Sequence, residues 1–213
     1  LKQKNVDFGG GLERLVAAAN DDPDVFKIDL FVPIIQKISE NTDKNYNNEK
    51  NKRAMRIMAD HIRAAVFLIF DGVIPEKEKQ GYVLRRLIRR SIDQAQIIGY
   101  ANYFRPLLTE AIGAYKDGYP ELAQKENIIH EVFENEESQY GQAIKRGRKI
   151  LIELTDTIKL GDKIAVEVQS ATNRISGEKA FQLYATHGLS PQQLREQGYE
   201  FDQGEIDSAF KNH

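Results

Sequence analysis

Apolar residues recur three and four positions apart along most of the chain, which is the pattern of amphipathic helices. This spacing predicts one helix directly after Gly11 and eight more at residues 29–40, 52–71, 82–98, 105–115, 121–154, 177–185, 191–196 and 205–212. Residues 6–8 predict a short strand, and residues 163–168 predict a second strand or a linker. The polar residues 41–51 predict a mobile loop. The fold class that follows is mainly α, preceded by a strand-helix remnant.

The start of the chain predicts a segment cut from a longer protein. The chain opens at Leu1 without a methionine, and a glycine-rich element arrives by residue 9. A strand at residues 6–8 would need neighbouring strands that this chain does not supply, because an isolated strand is unstable. We therefore expect the other strands of its sheet to lie elsewhere.

Composition narrows the possible functions without choosing one. Hydrophobic residues make up 41% of the 213 residues, which supports a sizeable core. The net charge of -2 gives no overall attraction for a polyanion, so any nucleic-acid affinity must come from local clusters. The chain has no cysteine, and its four histidines form no H-x-x-x-H pair, so we expect no metal site. Because no apolar run reaches bilayer length and no signal peptide is visible, we expect a cytoplasmic protein.

The first candidate site is the glycine-rich segment D-F-G-G-G-L-E-R-L at residues 7–15. Three glycines let a ligand approach the backbone, and the helix that follows offers free N–H groups. Arg14 could direct its guanidinium at a phosphate, and Asp7 could hold an ammonium group. The segment is neither a Walker loop nor G-x-G-x-x-G, and by itself it is also compatible with an ordinary strand-to-helix turn.

The second candidate site is a cationic helix face. Arg85, Arg86, Arg89 and Arg90 fall within an arc of about 140°, opposite the apolar residues of the same helix. Four arginines without an interleaved carboxylate are typical of phosphate binding. The alternative is a face neutralised by acids from elsewhere, such as the Glu-rich helix at 121–154. The charges alone do not separate these two interpretations.

Two other charged groups have structural interpretations. Asp60 and Arg63 share a helical face with Arg53 and Arg56, which predicts a set of ion pairs on one helix. The basic residues 145–149 predict a patch that faces solvent.

In this order, the motifs resemble alanyl-tRNA synthetases. Residues 5–15, N-V-D-F-G-G-G-L-E-R-L, are similar to the third signature motif of class II aminoacyl-tRNA synthetases in its alanine-specific form. Residues 56–75, R-I-M-A-D-H-I-R-A-A-V-F-L-I-F-D-G-V-I-P, resemble the helix that opens the family's tRNA-recognition domain. G-Y-V-L-R-R-L-I-R-R follows at 81–90, and residues 175–189 resemble a segment ending in L-Y-D-T-Y-G-F. The resemblance implies the end of a class II α/β catalytic domain at 1–22 and a helical, mid-chain tRNA-recognition domain at 23–213.

The resemblance also implies roles for individual residues. Asp7 matches the carboxylate that binds the amino group of alanine, and Arg14 matches the arginine that holds the ATP phosphates. Gly9 and Gly11 match the backbone floor of the adenylate pocket. The four arginines of the second candidate site match a basic helix that faces the tRNA acceptor stem.

By this resemblance, the chain is part of an alanine–tRNA ligase, which uses ATP and Mg²⁺ to attach alanine to tRNA(Ala). The family's first two class II motifs, its editing domain and its C-terminal region lie outside the matched segment. We therefore expect this chain to bind the acceptor stem, to hold no cofactor itself and to be inactive alone. We expect neither membranes nor DNA among its partners. If the synthetase is naturally split, then we also expect a separate catalytic subunit as a partner. The alternative is a stand-alone helical RNA-binding or interaction module descended from the synthetase, and the complete third motif favours the ligase.

Two positions depart from the family. Alanyl-tRNA synthetases typically read a G·U pair with the Asn of P-S-N-E and the Asp of L-Y-D-T-Y-G. Here Lys77 stands in place of the Asn, and Ala185 stands in place of the Asp. Lysine only donates hydrogen bonds and alanine offers none, so the guanine amino group loses its acceptor. We therefore expect a non-standard readout of this pair, unless Gln80 or Thr186 compensates.

Overall fold

The computed structural model of the chain describes residues 9–100, 104–161, 174–187, 191–196 and 199–211. Within these residues the regular structure is helical, which confirms the predicted mainly α class. The helices are α1 (Leu12–Ala19), α2 (Val32–Thr42), α3 (Glu49–Phe70), α4 (Lys79–Ile98), α5 (Arg105–Gly113), α6 (Glu121–Gln124), α7 (Glu126–Gly161), α8 (Gly177–His187), α9 (Pro191–Glu196) and α10 (Gln203–Lys211). A 3-10 turn covers Val25–Lys27. The strands predicted at 6–8 and 163–168 lie outside the described residues.

The chain divides into two compact units, Leu1–Glu137 and Ser138–His213. Helix α7 contributes residues to both units. The boundary predicted after residue 22, between the end of a catalytic domain and a tRNA-recognition domain, stays a prediction.

The core of the first unit is built around α3 and α4, which pack along each other. Their apolar stripes are buried as their spacing predicts, because side chains three and four apart share one helix face. The fully buried members of the two stripes include Met55, Met58, Ile62, Leu84 and Ile88. Helices α2 and α5 also pack against α3.

The predicted mobile loop is shorter than expected and is tethered at its centre. Helix α3 begins three residues before the predicted start, because the side chain of Asn48 caps it by accepting from the N–H of Lys50 at 3.0 Å. In the remaining loop, Tyr46 donates to Oδ2 of Asp24 at 2.8 Å. Nε of Arg56 donates to the hydroxyl of Tyr46, also at 2.8 Å. The polar composition of this segment therefore serves local hydrogen bonds.

The charged residues of α3 find partners outside their own helix. Arg56 binds Asp24 at 2.8 Å, and Arg63 binds Glu13 of α1 at 2.7 Å. Asp60 instead pairs with the neighbouring His61 at 2.9 Å. The prediction of an ion-pair set within the helix was therefore wrong, since carboxylates from other elements lie closer to the arginines.

In the second unit, α8 and α10 approach each other closely at Gly177. A β-carbon at this position would overlap Cβ of Glu205. The N–H of Gly177 donates to Oε2 of Glu205 at 2.6 Å, which caps the start of α8. The aromatic ring of Phe210 on α10 lies 5.0 Å from that of Tyr184 on α8.

No helix among the described residues is both long enough and apolar enough to cross a membrane.

Candidate nucleic-acid interface

The arginine face of α4 consists of two pairs with different surroundings. The inner pair, Arg85 and Arg89, lies against Glu136 of α7. Nε of Arg89 donates to Oε1 of Glu136 at 2.6 Å, and Nε of Arg85 lies 3.4 Å from the same oxygen. The Glu136 side chain is only 4% exposed. One buried carboxylate therefore neutralises part of the arginine face. This agrees with the alternative that acids from the Glu-rich helix neutralise it.

The outer pair, Arg86 and Arg90, is exposed to solvent one helical turn apart. Among the residues that the structure describes, no carboxylate forms an ion pair with either guanidinium. Lys79 and Tyr82 are also exposed, and helical spacing places them on the same side of α4. We call Lys79, Tyr82, Arg86 and Arg90 the exposed stripe. It carries three cationic side chains and one aromatic ring.

The loop between α3 and α4 carries Lys77 close to the start of the exposed stripe. Gly81 is buried where this loop passes the first turn of α4. A β-carbon at Gly81 would lie 2.6 Å from Cβ of Glu76 and 2.6 Å from the carbonyl oxygen of Ile74. Lys79 has φ of +50°, a left-handed conformation that lysine seldom adopts. These two positions hold the loop against α4, and Lys77 itself is exposed.

The three glycines before α1 are exposed to solvent. Apart from its chain neighbours, no described atom lies within 4 Å of the place where a β-carbon of Gly9 would be, so a ligand can approach this backbone. Gly11 is the N-cap residue of α1. The aliphatic stem of Arg14 folds back towards it, since two of its carbons lie 3.6 Å from a β-carbon built on Gly11. Arg14 is exposed, and Asp7 lies outside the described residues.

Glu13 connects α1 to α3. Nη1 of Arg63 donates to Oε1 of Glu13 at 2.7 Å and to the hydroxyl of Tyr115 at 3.2 Å. A hydrogen bond from its own backbone N–H and then the bond from Arg63 lower the pKa of Glu13. The guanidinium of Arg63 also stacks over the ring of Phe31, 4.5 Å from its centroid. The ion pair between Glu13 and Arg63 therefore holds α1 in an orientation in which Arg14 faces solvent.

Ala185 lies on α8 in the second unit and is exposed. Its neighbours Leu183 and Tyr184 are buried and half-buried, respectively, so they orient the helix and leave residue 185 on the outer side. A ligand can therefore reach position 185, but the methyl group there offers no hydrogen bond.

A family model described as tRNA synthetases class II (A) matches residues 1–211 of this chain. The match includes every candidate site residue on both units. The chain belongs to this family.

Curated relatives in the family include alanine–tRNA ligases from several bacteria. The enzyme of Shouchella clausii (strain KSM-K16) is 36% identical over 218 residues, which cover 99% of this chain and 23% of the relative. That of Caldicellulosiruptor saccharolyticus is 38% identical and that of Streptococcus mutans is 34% identical, each over 99% of this chain and 24% of the relative. The chain thus spans about a quarter of the length of these relatives. The sequence-based assignment to this synthetase family is confirmed.

Sequence reasoning missed three residues of the site. Tyr82 and Lys79 lie on the same helical side as the outer arginines, so helical spacing could have found them. Glu136 had no local signal, because it is 47 residues from Arg89 along the chain. Among the described residues, no group of three or more histidines and carboxylates is arranged to hold a metal ion.

Proposed function

We propose that this chain is the part of an alanine–tRNA ligase that binds the acceptor stem of tRNA(Ala). The observation that carries the proposal is the exposed stripe of α4 in a chain whose relatives are named alanine–tRNA ligases. Arg86 and Arg90 lie about 6 Å apart along the helix axis, and Lys79 extends the line of charge towards the start of the helix. Cations spaced in this way suit the phosphates of a nucleic-acid backbone. The exposed ring of Tyr82 adds a surface for a sugar or a base.

The glycine-rich segment supports a second role in the complete enzyme. We propose that Arg14 binds the ATP phosphates and that the backbone at Gly9 and Gly11 borders the adenylate. The open backbone and the exposed guanidinium fit a phosphate-bearing ligand. In adenylate formation the carboxylate of alanine would attack the α-phosphorus of ATP, and pyrophosphate would leave. The alanine amino group would be held by Asp7, as the family resemblance implies.

We further propose that this ligase reads the G·U pair in a non-standard way. Lys77 can donate to a carbonyl or a phosphate oxygen but cannot accept from the guanine amino group. Ala185 can do neither. Both positions are exposed, which supports their access to RNA. The expected consequence is a weaker dependence on G·U than is typical of the family.

The main test measures binding of the chain to tRNA(Ala) as the salt concentration rises. We expect the logarithm of the affinity to fall steeply with the logarithm of salt, because each neutralised phosphate releases counterions. A DNA duplex of matching sequence serves as the control. No detectable tRNA binding at low salt, or equal affinity for the DNA duplex, would refute the proposal.

The test of the readout compares tRNA(Ala) carrying G·U with the same tRNA carrying G·C at that position. We expect less than a tenfold preference for G·U, and we expect Lys77→Asn with Ala185→Asp to increase it. A preference of about a hundredfold in the unaltered chain, about 2.7 kcal/mol, would mean that other residues perform the readout.

A further inference from the structure

We infer that the four arginines of α4 have two different roles in RNA binding: Arg86 and Arg90 contact the phosphates, and Arg85 and Arg89 are positioning residues held by Glu136. This inference rests on the proposed function, because it assigns individual residues within the proposed RNA-binding surface. The family resemblance alone gives all four arginines the same role.

The inner arginines are already committed to a partner inside the protein. Arg89 bonds Oε1 of Glu136 at 2.6 Å, and Arg85 approaches the same oxygen at 3.4 Å. To reach a phosphate, Arg89 would have to leave a carboxylate that is only 4% exposed. A buried carboxylate that loses a partner is strongly unfavourable, so this exchange opposes RNA binding.

The outer arginines carry a smaller cost, since Asp60 attracts Arg90 without forming an ion pair with it. Both guanidinium groups are exposed, and within the described part of the chain neither forms an ion pair. A phosphate can bind Arg86 or Arg90 without breaking an existing ion pair. These two residues should therefore supply the counterion release that RNA binding produces.

The inner pair acts through the orientation of α4. By binding Glu136, Arg85 and Arg89 connect one side of α4 to the first part of α7. Rotation of α4 about its axis would break these contacts. The exposed stripe is consequently fixed on the solvent side, and Glu136 is the residue that fixes it.

The test compares two variants that remove the same charge from the same helix, Arg86→Gln and Arg89→Gln. The probe is an RNA hairpin with the sequence of the tRNA(Ala) acceptor stem, titrated at several salt concentrations. We expect Arg86→Gln to flatten the salt dependence by about one unit of slope. We expect Arg89→Gln to flatten it by less than about half a unit, because this residue neutralises no phosphate. Equal flattening by both variants would overturn the inference.

A third variant, Glu136→Gln, separates positioning from simple loss of structure. Glutamine keeps the shape of the side chain but removes its charge, so the buried carboxylate no longer competes with phosphate for the inner arginines. We expect a steeper salt dependence than in the unaltered chain, by about one unit. A flatter or unchanged slope with an intact helical circular dichroism spectrum would contradict the role given to Glu136. If Glu136→Gln does not fold, the comparison of Arg86→Gln with Arg89→Gln decides alone.

These outcomes also separate this inference from the proposed function. If the unaltered chain binds neither the hairpin nor tRNA, then the proposed function fails. If it binds with a steep salt dependence and the two arginine variants behave alike, then only the division of roles fails.

Discussion

Individual side chains tie the amino-terminal part of the first unit to α3, and Asp24 is central among them. Its Oδ2 accepts from the hydroxyl of Tyr46 and pairs with Arg56, each at 2.8 Å, and its Oδ1 accepts from the N–H of Phe26 at 3.1 Å. Burial alone would raise the pKa of Asp24, but the bonds from Tyr46, Arg56 and Phe26 together lower it below its usual 3.8. Burial also raises the pKa of the Tyr46 hydroxyl to about 12, so this hydroxyl remains a donor at any physiological pH.

Replacement of Asp24 by Asn should therefore destabilise the chain in a pH-dependent way. Because the pKa of Asp24 is lower in the folded state, its charge stabilises the fold above pH 3.8, and this stabilisation is lost as the pH falls through the folded value. We expect Asp24→Asn to reduce the free energy of unfolding by about 1–3 kcal/mol at pH 7, with the difference shrinking below about pH 4. Urea denaturation at several pH values measures this, with the exposed Asp29→Asn as the control. A difference that stays constant down to pH 3 would contradict the role of the charge.

Site residues that follow from helical spacing could be predicted from the sequence, whereas contacts between residues far apart along the chain could not. Helical spacing places the arginines of α4 on one side, and that side is indeed free of apolar core residues. Which arginines remain available depends on Glu136, far along the chain, and no local pattern encodes that contact. The anchor between Glu13 and Arg63 is a contact of the same kind, 50 residues apart.

At the level of elements, the start of α4 depends on one glycine. The loop that carries Lys77 passes so close to Gly81 that a β-carbon would meet the loop backbone and Glu76 at 2.6 Å. Contacts below 3.0 Å cannot be accommodated without movement, and the Ile74 carbonyl is backbone that cannot simply rotate away. The position of the loop relative to the exposed stripe therefore requires glycine at 81.

We accordingly expect Gly81→Ala to destabilise the chain by about 1–3 kcal/mol through overpacking. The matched control is Gly113→Ala at the end of α5, where a β-carbon would meet no described atom within 4 Å outside its chain neighbours and the backbone of its own helix. This control should leave stability unchanged or raise it by up to about 1 kcal/mol, because alanine favours helix over glycine. Thermal unfolding followed by circular dichroism compares the two variants. Equal effects would show that the loop adapts around the added methyl group.

The helices themselves were largely predictable, and the exceptions have a common cause. The stripes of α3 and α4 are buried as their periodicity indicates. In α1, however, Leu12 and Leu15 are each 59% exposed, although they lie on the predicted apolar face. Periodicity identifies which side of a helix is apolar, but it does not identify what covers that side.

At the level of the whole molecule, the described residues join two kinds of chemistry in one chain. In the proposed function the open glycines and Arg14 bind a nucleotide, whereas the exposed stripe of α4 binds a nucleic-acid backbone. Glu13 and Arg63 connect the helix of the first site to α3, and α3 packs along α4. The two proposed sites thus lie on elements that pack within one unit.

The chain alone should nevertheless be unable to activate alanine. It spans about a quarter of the length of its alanine–tRNA ligase relatives, and the first two class II motifs lie outside the segment that the resemblance covers. Adenylate formation requires the carboxylate of alanine and the α-phosphate of ATP to be held in reacting geometry. In the role proposed above, Arg14 and the glycine backbone supply only one side of such a pocket. We expect no alanine-dependent exchange of pyrophosphate into ATP by the purified chain. The full-length ligase of Streptococcus mutans serves as the positive control under the same conditions. Measurable exchange by the chain, abolished by Arg14→Gln, would show that these residues suffice for the reaction and that the expectation is wrong.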